Sequence, residues 1–372
     1  MDVKDFLSAV GVDFYTGVPD SQLKALCDYL ATVYSNDPSH HIIAANEGNC
    51  TAIAAGYHLA TGKVPLVYMQ NSGEGNIVNP VASLTREEVY AIPTVFVIGW
   101  RGEPGVHDEP QHIYQGQITL SLLDTLKIEH MVISKDTSAS EISAVMEAWR
   151  PLLSEGKSVA FVVRKGALSS DIKPEYKNDA EMTREEILSH IIAVSGDDPI
   201  VSTTGKASRE LFELREAARQ DHSRDFLTVG SMGHASSIAL GIALQKPEST
   251  VWCIDGDGAA LMHMGSMAVT ASAHPENFIH VVINNCAHET VGGMPTAAGN
   301  FSFAEVALSC GYDSAKRVST AAELDSALDE AKNMKGLRLI EADCSIGSRA
   351  DLGRPTTSAR DNKEAFMKHL SK

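Results

Sequence analysis

The apolar positions of this chain fall into two kinds of run. One kind is short and continuous. In the first half these are "VDFYTGVP", "HHIIAA", "VPLVYMQ", "IPTVFVIGW" and "SVAFVVRKG". In the second half they are "PIVSTTG", "DFLTVGSMG", "STVWCIDGDG", "FIHVVINN" and "LRLIEADCS". Continuous rather than alternating apolarity predicts strands buried on both faces. The other kind is longer and amphipathic. "VKDFLSAV", "DSQLKALCDYLATVY", "CTAIAAGYHLATG", "GNIVNPVASL", "TREEILSHIIAV", "ASRELFELREAA", "HASSIALGIALQ" and "ALMHMGSMAVTASA" are predicted helices. Asp20 or Ser21 is the expected N-cap of the second, and Thr183 with Glu186 forms a capping box for the fifth. Strands alternating with helices predict an α/β fold with parallel sheets.

The pattern is written twice. "NEGNCTAIAAGYHLATGKVPLVYMQNSGEGNIVNPVASL" aligns with "GSMGHASSIALGIALQKPESTVWCIDGDGAALMHMGSMAV". Gly48 falls on Gly233, Gly56 on Gly241, Gly73 on Gly258 and Ile98 on Ile283, an offset of about 185 positions. A period this long is a domain, not a solenoid repeat. The expectation is two doubly wound parallel-sheet domains, residues 1–168 and 183–372. The polar, Pro-containing "SSDIKPEYKNDAEM" (169–182) is the expected linker.

A formal net charge of −17 argues against nucleic acid or an anionic membrane as partner. The six cysteines form no C-x-x-C pair. They read as reduced thiols, and with no leader-like or membrane-spanning run the expected location is cytoplasmic.

Chemistry enters at the strand ends, where ligands of open α/β sheets bind. Gly256-Asp257-Gly258 follows one strand and Asn284-Asn285 another. The glycines allow backbone N–H groups to approach a phosphate. A carboxylate beside a diphosphate requires a cation between them. Mg²⁺ suits an Asp carboxylate, an Asn amide oxygen and a backbone carbonyl. Ordinary Asp-Gly and Asn-Cys turns explain the same residues without a ligand. The spacing is not the G-x-G-x-x-G dinucleotide fingerprint, which disfavours a nicotinamide dehydrogenase. Glu47, at a strand end that opens a helix, is either a favourable charge on the helix dipole or a catalytic carboxylate.

Together, GDG…NN and Glu47 resemble the thiamine diphosphate enzymes, over nearly the whole chain. "WRGEPGVHDEPQH", "GSMGHASSIALGIAL", "NNCAHETVGGMPT" and "GSRADLGRP" are similar to the phosphonopyruvate decarboxylase family and its sulfopyruvate decarboxylase relatives. Cys286 stands where that family is expected to have glycine. The resemblance implies a pyrimidine-binding first domain and a diphosphate-binding second domain. It implies thiamine diphosphate and Mg²⁺ as cofactors, with Asp257, Asn285 and the Ala287 carbonyl on the metal. Gly256, Gly258, Ala259, Thr204, Gly205 and Lys206 would surround the diphosphate. Met232 would bend the cofactor, and the Gly230 carbonyl would accept from its aminopyrimidine. Glu47 would exchange a proton with the pyrimidine ring. The resemblance also implies a homodimer or larger homo-oligomer, with Glu47 of one chain facing Asp257 of another.

The implied substrate is a small anionic 2-keto acid, 3-phosphonopyruvate, cleaved to phosphonoacetaldehyde and CO₂ in phosphonate biosynthesis. A phosphonate needs cations and donors. Candidates are Arg101, Arg349 and Arg354, with Arg209 and Lys206, and the polar loop residues Asp20 and Ser21. His112 is the expected proton donor. Sulfopyruvate is the nearest alternative substrate, and fusion of both domains in one chain favours the phosphonate. A carboligase of acetolactate-synthase type and a non-catalytic protein of the same fold are the other readings.

Overall fold

The computed structural model describes residues 1–35 and 37–372. Two compact units divide between Glu175 and Tyr176, and the segment Val291–Met294 groups with the first. Each is built on a six-stranded sheet.

In the first unit the strands are β1 (Tyr15–Gly17), β2 (His41–Ile43), β3 (Leu66–Gln70), β4 (Val95–Gly99), β5 (Glu129–Ile133) and β6 (Val159–Val163). Their order is β2-β1-β3-β4-β6-β5, with every pair parallel. In the second unit β7 (Ile200–Ser202), β8 (Asp225–Leu227), β9 (Val251–Gly256) and β10 (Asn277–Asn284) come first. The two-residue strands β11 (Ala287–His288) and β12 (Met294–Pro295) follow, then β13 (Ser314–Val318) and β14 (Gly336–Asp343). The six-stranded order is β8-β7-β9-β10-β14-β13, again parallel throughout. The two sheets have the same connectivity, so the sequence repeat is a repeat of topology. Parallel strands require helical crossovers, which cover both faces. β3, β4 and β6 are buried along nearly their whole length for that reason.

This order places the topological switch point between β1 and β3 in one unit and between β7 and β9 in the other. Chains leave those neighbouring strands in opposite directions and open a crevice at the carboxyl ends. The turn after β1 carries Asp20, and the turn after β3 carries Gln70–Gly73. The turn after β7 carries Thr203–Lys206, and β9 runs into Asp257.

Two local expectations are corrected. Neither Asp20 nor Ser21 caps the second helix. It begins at Lys24 after Leu23, which supplies no side-chain cap. Asp20 instead turns inward, fully buried, and accepts from the Gln22 N–H at 3.0 Å. "ALMHMGSMAVTASA" is not one helix but two, Asp257–Met262 and Gly265–Ala273. The break lies where Gly233 packs against the chain: a Cβ there would come within 2.9 Å of Met262 Cβ and 2.8 Å of His263 Cδ2. The Thr183–Glu186 capping box forms as read.

Candidate active site

In the second unit, Asp257 is the first residue of its helix and is 3 % exposed. Burial lifts its carboxyl to about 6, against hydrogen bonds from the Thr296 hydroxyl and nearby backbone N–H groups. Gly256 pairs with Ile283 in the neighbouring strand, so the end of β9 lies beside the Asn284–Asn285 turn. The two asparagines are held differently. Asn284 donates to Glu341 at 2.9 Å and accepts from the Cys286 N–H at 3.0 Å, which ties it to the sheet. Asn285 accepts from the Ala287 N–H at 3.1 Å and donates to Glu289 at 2.8 Å. Directly after them Cys286 sits at φ 56°, a left-handed conformation that favours glycine.

Three loops converge on this strand end. The Gly230 N–H donates to Thr204 Oγ1 at 3.1 Å, joining the turns after β7 and β8. A Cβ on Gly258 would lie 3.4 Å from both Met232 Cε and His288 Nδ1. Gly205, at φ 98°, opens the helix Lys206–Ala217. The structure therefore brings Thr204, Gly205, Gly230, Met232, Gly258 and Asp257 to one crevice. Lys206 reaches Glu289 at 2.7 Å, and Arg184 bridges Glu289 to Glu210. Burial opposes ionisation of Glu289, but Arg184 and Lys206 outweigh it and hold its carboxyl below the ordinary value. Glu289 and Thr296 lie in the stretch "NNCAHETVGGMPT", but nothing in their spacing marks them as the partners of Asn285 and Asp257.

In the first unit, Glu47 follows its N-cap Asn46, which accepts from the Asn49 N–H at 3.0 Å. The Glu47 side chain lies inward, 4 % exposed, and accepts from Asn76 Nδ2 at 2.7 Å. Burial raises its carboxyl above the ordinary value and the Asn76 bond only partly offsets that. Gly73 packs directly on it: a Cβ at that position would be 2.4 Å from Glu47 Oε1. The adjacent Glu74 is 2 % exposed, with Oε1 lacking a hydrogen-bond partner, and burial lifts it to about 8. The signal that finds Gly73 is the repeat itself. At an offset of 185 it falls on Gly258, in the GDG turn.

At the first switch point Asp20 accepts from Gln70 Nε2 at 2.6 Å. Burial lifts the Asp20 carboxyl to about 6, with Gln70 and Arg101 opposing. Arg101 donates to Ser21 at 3.0 Å and grips Asp108 with two nitrogens. The backbone of His112 packs against Gly102, and burial holds its imidazole below the ordinary value, with Nδ1 unpartnered. Asp20, Ser21, Arg101 and His112 thus form one polar group.

Two profiles match the chain: the thiamine pyrophosphate enzyme N-terminal TPP binding domain over residues 2–128, and the C-terminal TPP binding domain over residues 203–342. A phosphonopyruvate decarboxylase of Streptomyces viridochromogenes is 33% identical over 97% of this chain and 92% of its own. One of Streptomyces hygroscopicus is 32% identical over 97% and 91%. The chain belongs to the phosphonopyruvate decarboxylase family of thiamine pyrophosphate enzymes.

A sulfopyruvate decarboxylase of Methanosarcina acetivorans is also similar, at 27% identity over 91% of this chain and 89% of its own. That protein spans both halves in one chain, so fusion of the domains does not separate phosphonate from sulfonate substrates. As a member of the phosphonopyruvate decarboxylase family the chain is a carboxy-lyase, a thiamine diphosphate-dependent decarboxylase of a 2-keto acid. The crevice fits the cofactor's charged end. The Asp257 carboxylate and the Asn285 amide oxygen are hard oxygen ligands at its rim, and the Gly258 turn leaves room that a Cβ would fill beside Met232 and His288.

The remaining basic candidates of this family member lie in the second unit. Arg349 is exposed and pairs with Glu185, Glu213 and Asp351. Arg209 donates to the carbonyls of Leu352 and Gly353, and Arg354 is exposed on the same segment. Among the described residues, no helix is long and apolar enough to cross a membrane.

Proposed function

We propose that this chain decarboxylates 3-phosphonopyruvate to phosphonoacetaldehyde and CO₂ in phosphonate biosynthesis, using thiamine diphosphate with Mg²⁺. The observation that carries the substrate is the 33% identity to a phosphonopyruvate decarboxylase along 97% of the chain, against 27% for the sulfopyruvate enzyme. Residues 1–168 would take the pyrimidine and 183–372 the diphosphate, joined by 169–182. Asp257, Asn285 and the Ala287 carbonyl would hold Mg²⁺. Gly256, Gly258, Ala259, Thr204, Gly205 and Lys206 would hold the diphosphate, with Met232 and the Gly230 carbonyl against the rings.

When bound, the cofactor supplies the carbanion that adds to the keto carbon and the electron sink that releases CO₂. The chain supplies position and protons. Glu47, buried and more readily protonated than an ordinary carboxyl, carries the proton exchanged with the pyrimidine. Asn76 fixes its orientation. His112 would donate, in its imidazolium form, the proton that replaces the lost carboxylate; burial works against that form and holds the imidazole below its ordinary value. Arg101 is the cation of the Asp20 group and meets the phosphonate, with Asp20 and Ser21 beside it. Arg349 and Arg354 are the second-unit candidates for that anion. The active unit is a homodimer or larger homo-oligomer, with each site shared between chains.

Sulfopyruvate is kept as a second substrate because a single-chain sulfopyruvate decarboxylase aligns over both domains. Steady-state kinetics with phosphonopyruvate, sulfopyruvate and pyruvate separate the readings. The proposal expects the largest kcat/KM for phosphonopyruvate. A larger value for sulfopyruvate reassigns the substrate and keeps the mechanism.

A further inference from the structure

β9 and β10 lie side by side in the second sheet, with Cys253 opposite His280. Strand alternation puts Cys253 and Asp255 on one face. That face packs on an apolar cluster that includes Val251, Phe278, Val282 and Phe303. Cys253 is fully buried, and Asp255 and His280 are each 1 % exposed. Cys253 Sγ is 3.9 Å from Asp255 Oδ2, and His280 Nε2 is 3.2 Å from the same oxygen. One ligand atom from each residue lies within 4.8 Å of the other two. Asp255 Oδ1 and His280 Nδ1 are buried with no hydrogen-bond partner. Leaving such atoms unsatisfied is costly, and the Tyr312 hydroxyl of the same cluster is likewise buried without a partner.

We propose that Cys253, Asp255 and His280 form a binding site for one zinc-class divalent cation. A sulfur, a nitrogen and an oxygen make a borderline-soft donor set, suited to Zn²⁺ or Co²⁺. Mg²⁺ and Ca²⁺ prefer oxygen alone, so this site is distinct in kind from the one at Asp257. Tetrahedral zinc at ordinary bond lengths holds its donors roughly 3.3–3.5 Å apart. The separations here need only modest side-chain adjustment. Charge closes as well: a thiolate and a carboxylate neutralise a divalent ion, so the unit buried in the core carries no net charge. The thiol proton leaves on binding. Burial holds the Cys253 thiol well above its ordinary value, so loading tightens as pH rises. The ion would staple the two strands whose ends carry Asp257 and Asn284–Asn285. That fixes the turn spacing that the candidate Mg²⁺ site requires.

The test uses the full chain, produced once with zinc and once with Co²⁺ in the growth medium, then dialysed against EDTA. The expected result is about one tightly held zinc per chain. The Co²⁺ protein should show a near-ultraviolet thiolate-to-cobalt charge-transfer band. Cys253→Ser should abolish that band and cut metal content about tenfold or more. Asp257→Asn and Cys286→Ser should leave both unchanged, which separates this site from the strand-end turn. His280→Gln serves as a second ligand variant if Cys253→Ser does not fold. Folded wild-type Co²⁺ protein without the band, or metal content unchanged in Cys253→Ser, overturns the proposal.

Discussion

Gly73→Ala adds a single methyl group and should disable the enzyme without substituting any titratable residue. Gly73 has φ −79° and ψ −9°, which alanine adopts without strain. The new Cβ would lie 2.4 Å from Glu47 Oε1 and 2.5 Å from its Cδ and Cγ. Ordinary contact needs roughly 3.5 Å, so the carboxyl must move by about 1 Å. A shift of that size strains the 2.7 Å bond from Asn76 and costs about 100-fold in rate when the moved group does the chemistry. That corresponds to about 2.7 kcal/mol of barrier. Overpacking lowers stability by about 1–3 kcal/mol, less the small entropic benefit of replacing glycine. The assay is kcat for CO₂ release together with a thermal melt. Gly75→Ala is the control, because a Cβ there meets nothing within 4 Å. Glu47→Gln sets the floor, at about 100- to 10,000-fold below wild type. A Gly73→Ala enzyme within threefold of wild type would refute a precisely placed, proton-carrying Glu47.

Three further outcomes follow from the same geometry. Burial raises Asp20 from 3.8 to about 6, so between those values the folded chain holds a proton that the unfolded chain has released. Its contribution to stability is therefore lost as pH rises from about 4 to about 6. Denaturant melts should show Asp20→Asn gaining roughly 2–3 kcal/mol on wild type between those limits, and a pH-independent difference would contradict the burial argument. Cys286→Gly relieves the φ 56° backbone and should stabilise by about 0.5–1 kcal/mol; a loss instead would mean that the Cys286 Sγ contact to Asn284 at 3.3 Å outweighs the strain. If sites are shared between chains, co-expressed Glu47→Gln and Asp257→Asn subunits should regain about a quarter of wild-type activity, whereas sites contained in one chain would regain none.

The central strands were legible because burial on both faces leaves an unbroken apolar run, and the repeat was legible through its glycines. The edge strands β5 and β13 were not. "EHMVI" and "SAKRV" are half exposed, and the second carries Lys316 and Arg317, so neither reads as apolar. The capping boxes at Ser138–Glu141 and Thr320–Glu323 are sequence signals for two further helices. Asp257 and Glu47, one in each unit, were legible as acids at strand ends. Their settings were not. Gln70 meets Asp20, and Asn76 meets Glu47, only because parallel strands and the helix after them fold back to the same crevice. Such pairs, 50 and 29 residues apart, leave no periodic trace. The ion pairs that occupy Lys206 and Arg349 are equally long-range products of the fold.

The most direct test of the account is the product balance with phosphonopyruvate, thiamine diphosphate and Mg²⁺, wild type beside Glu47→Gln. The account predicts CO₂ and phosphonoacetaldehyde in equal amounts from wild type, and loss of both in the variant. No CO₂ from the wild-type enzyme, or CO₂ without a matching yield of the aldehyde, would contradict it.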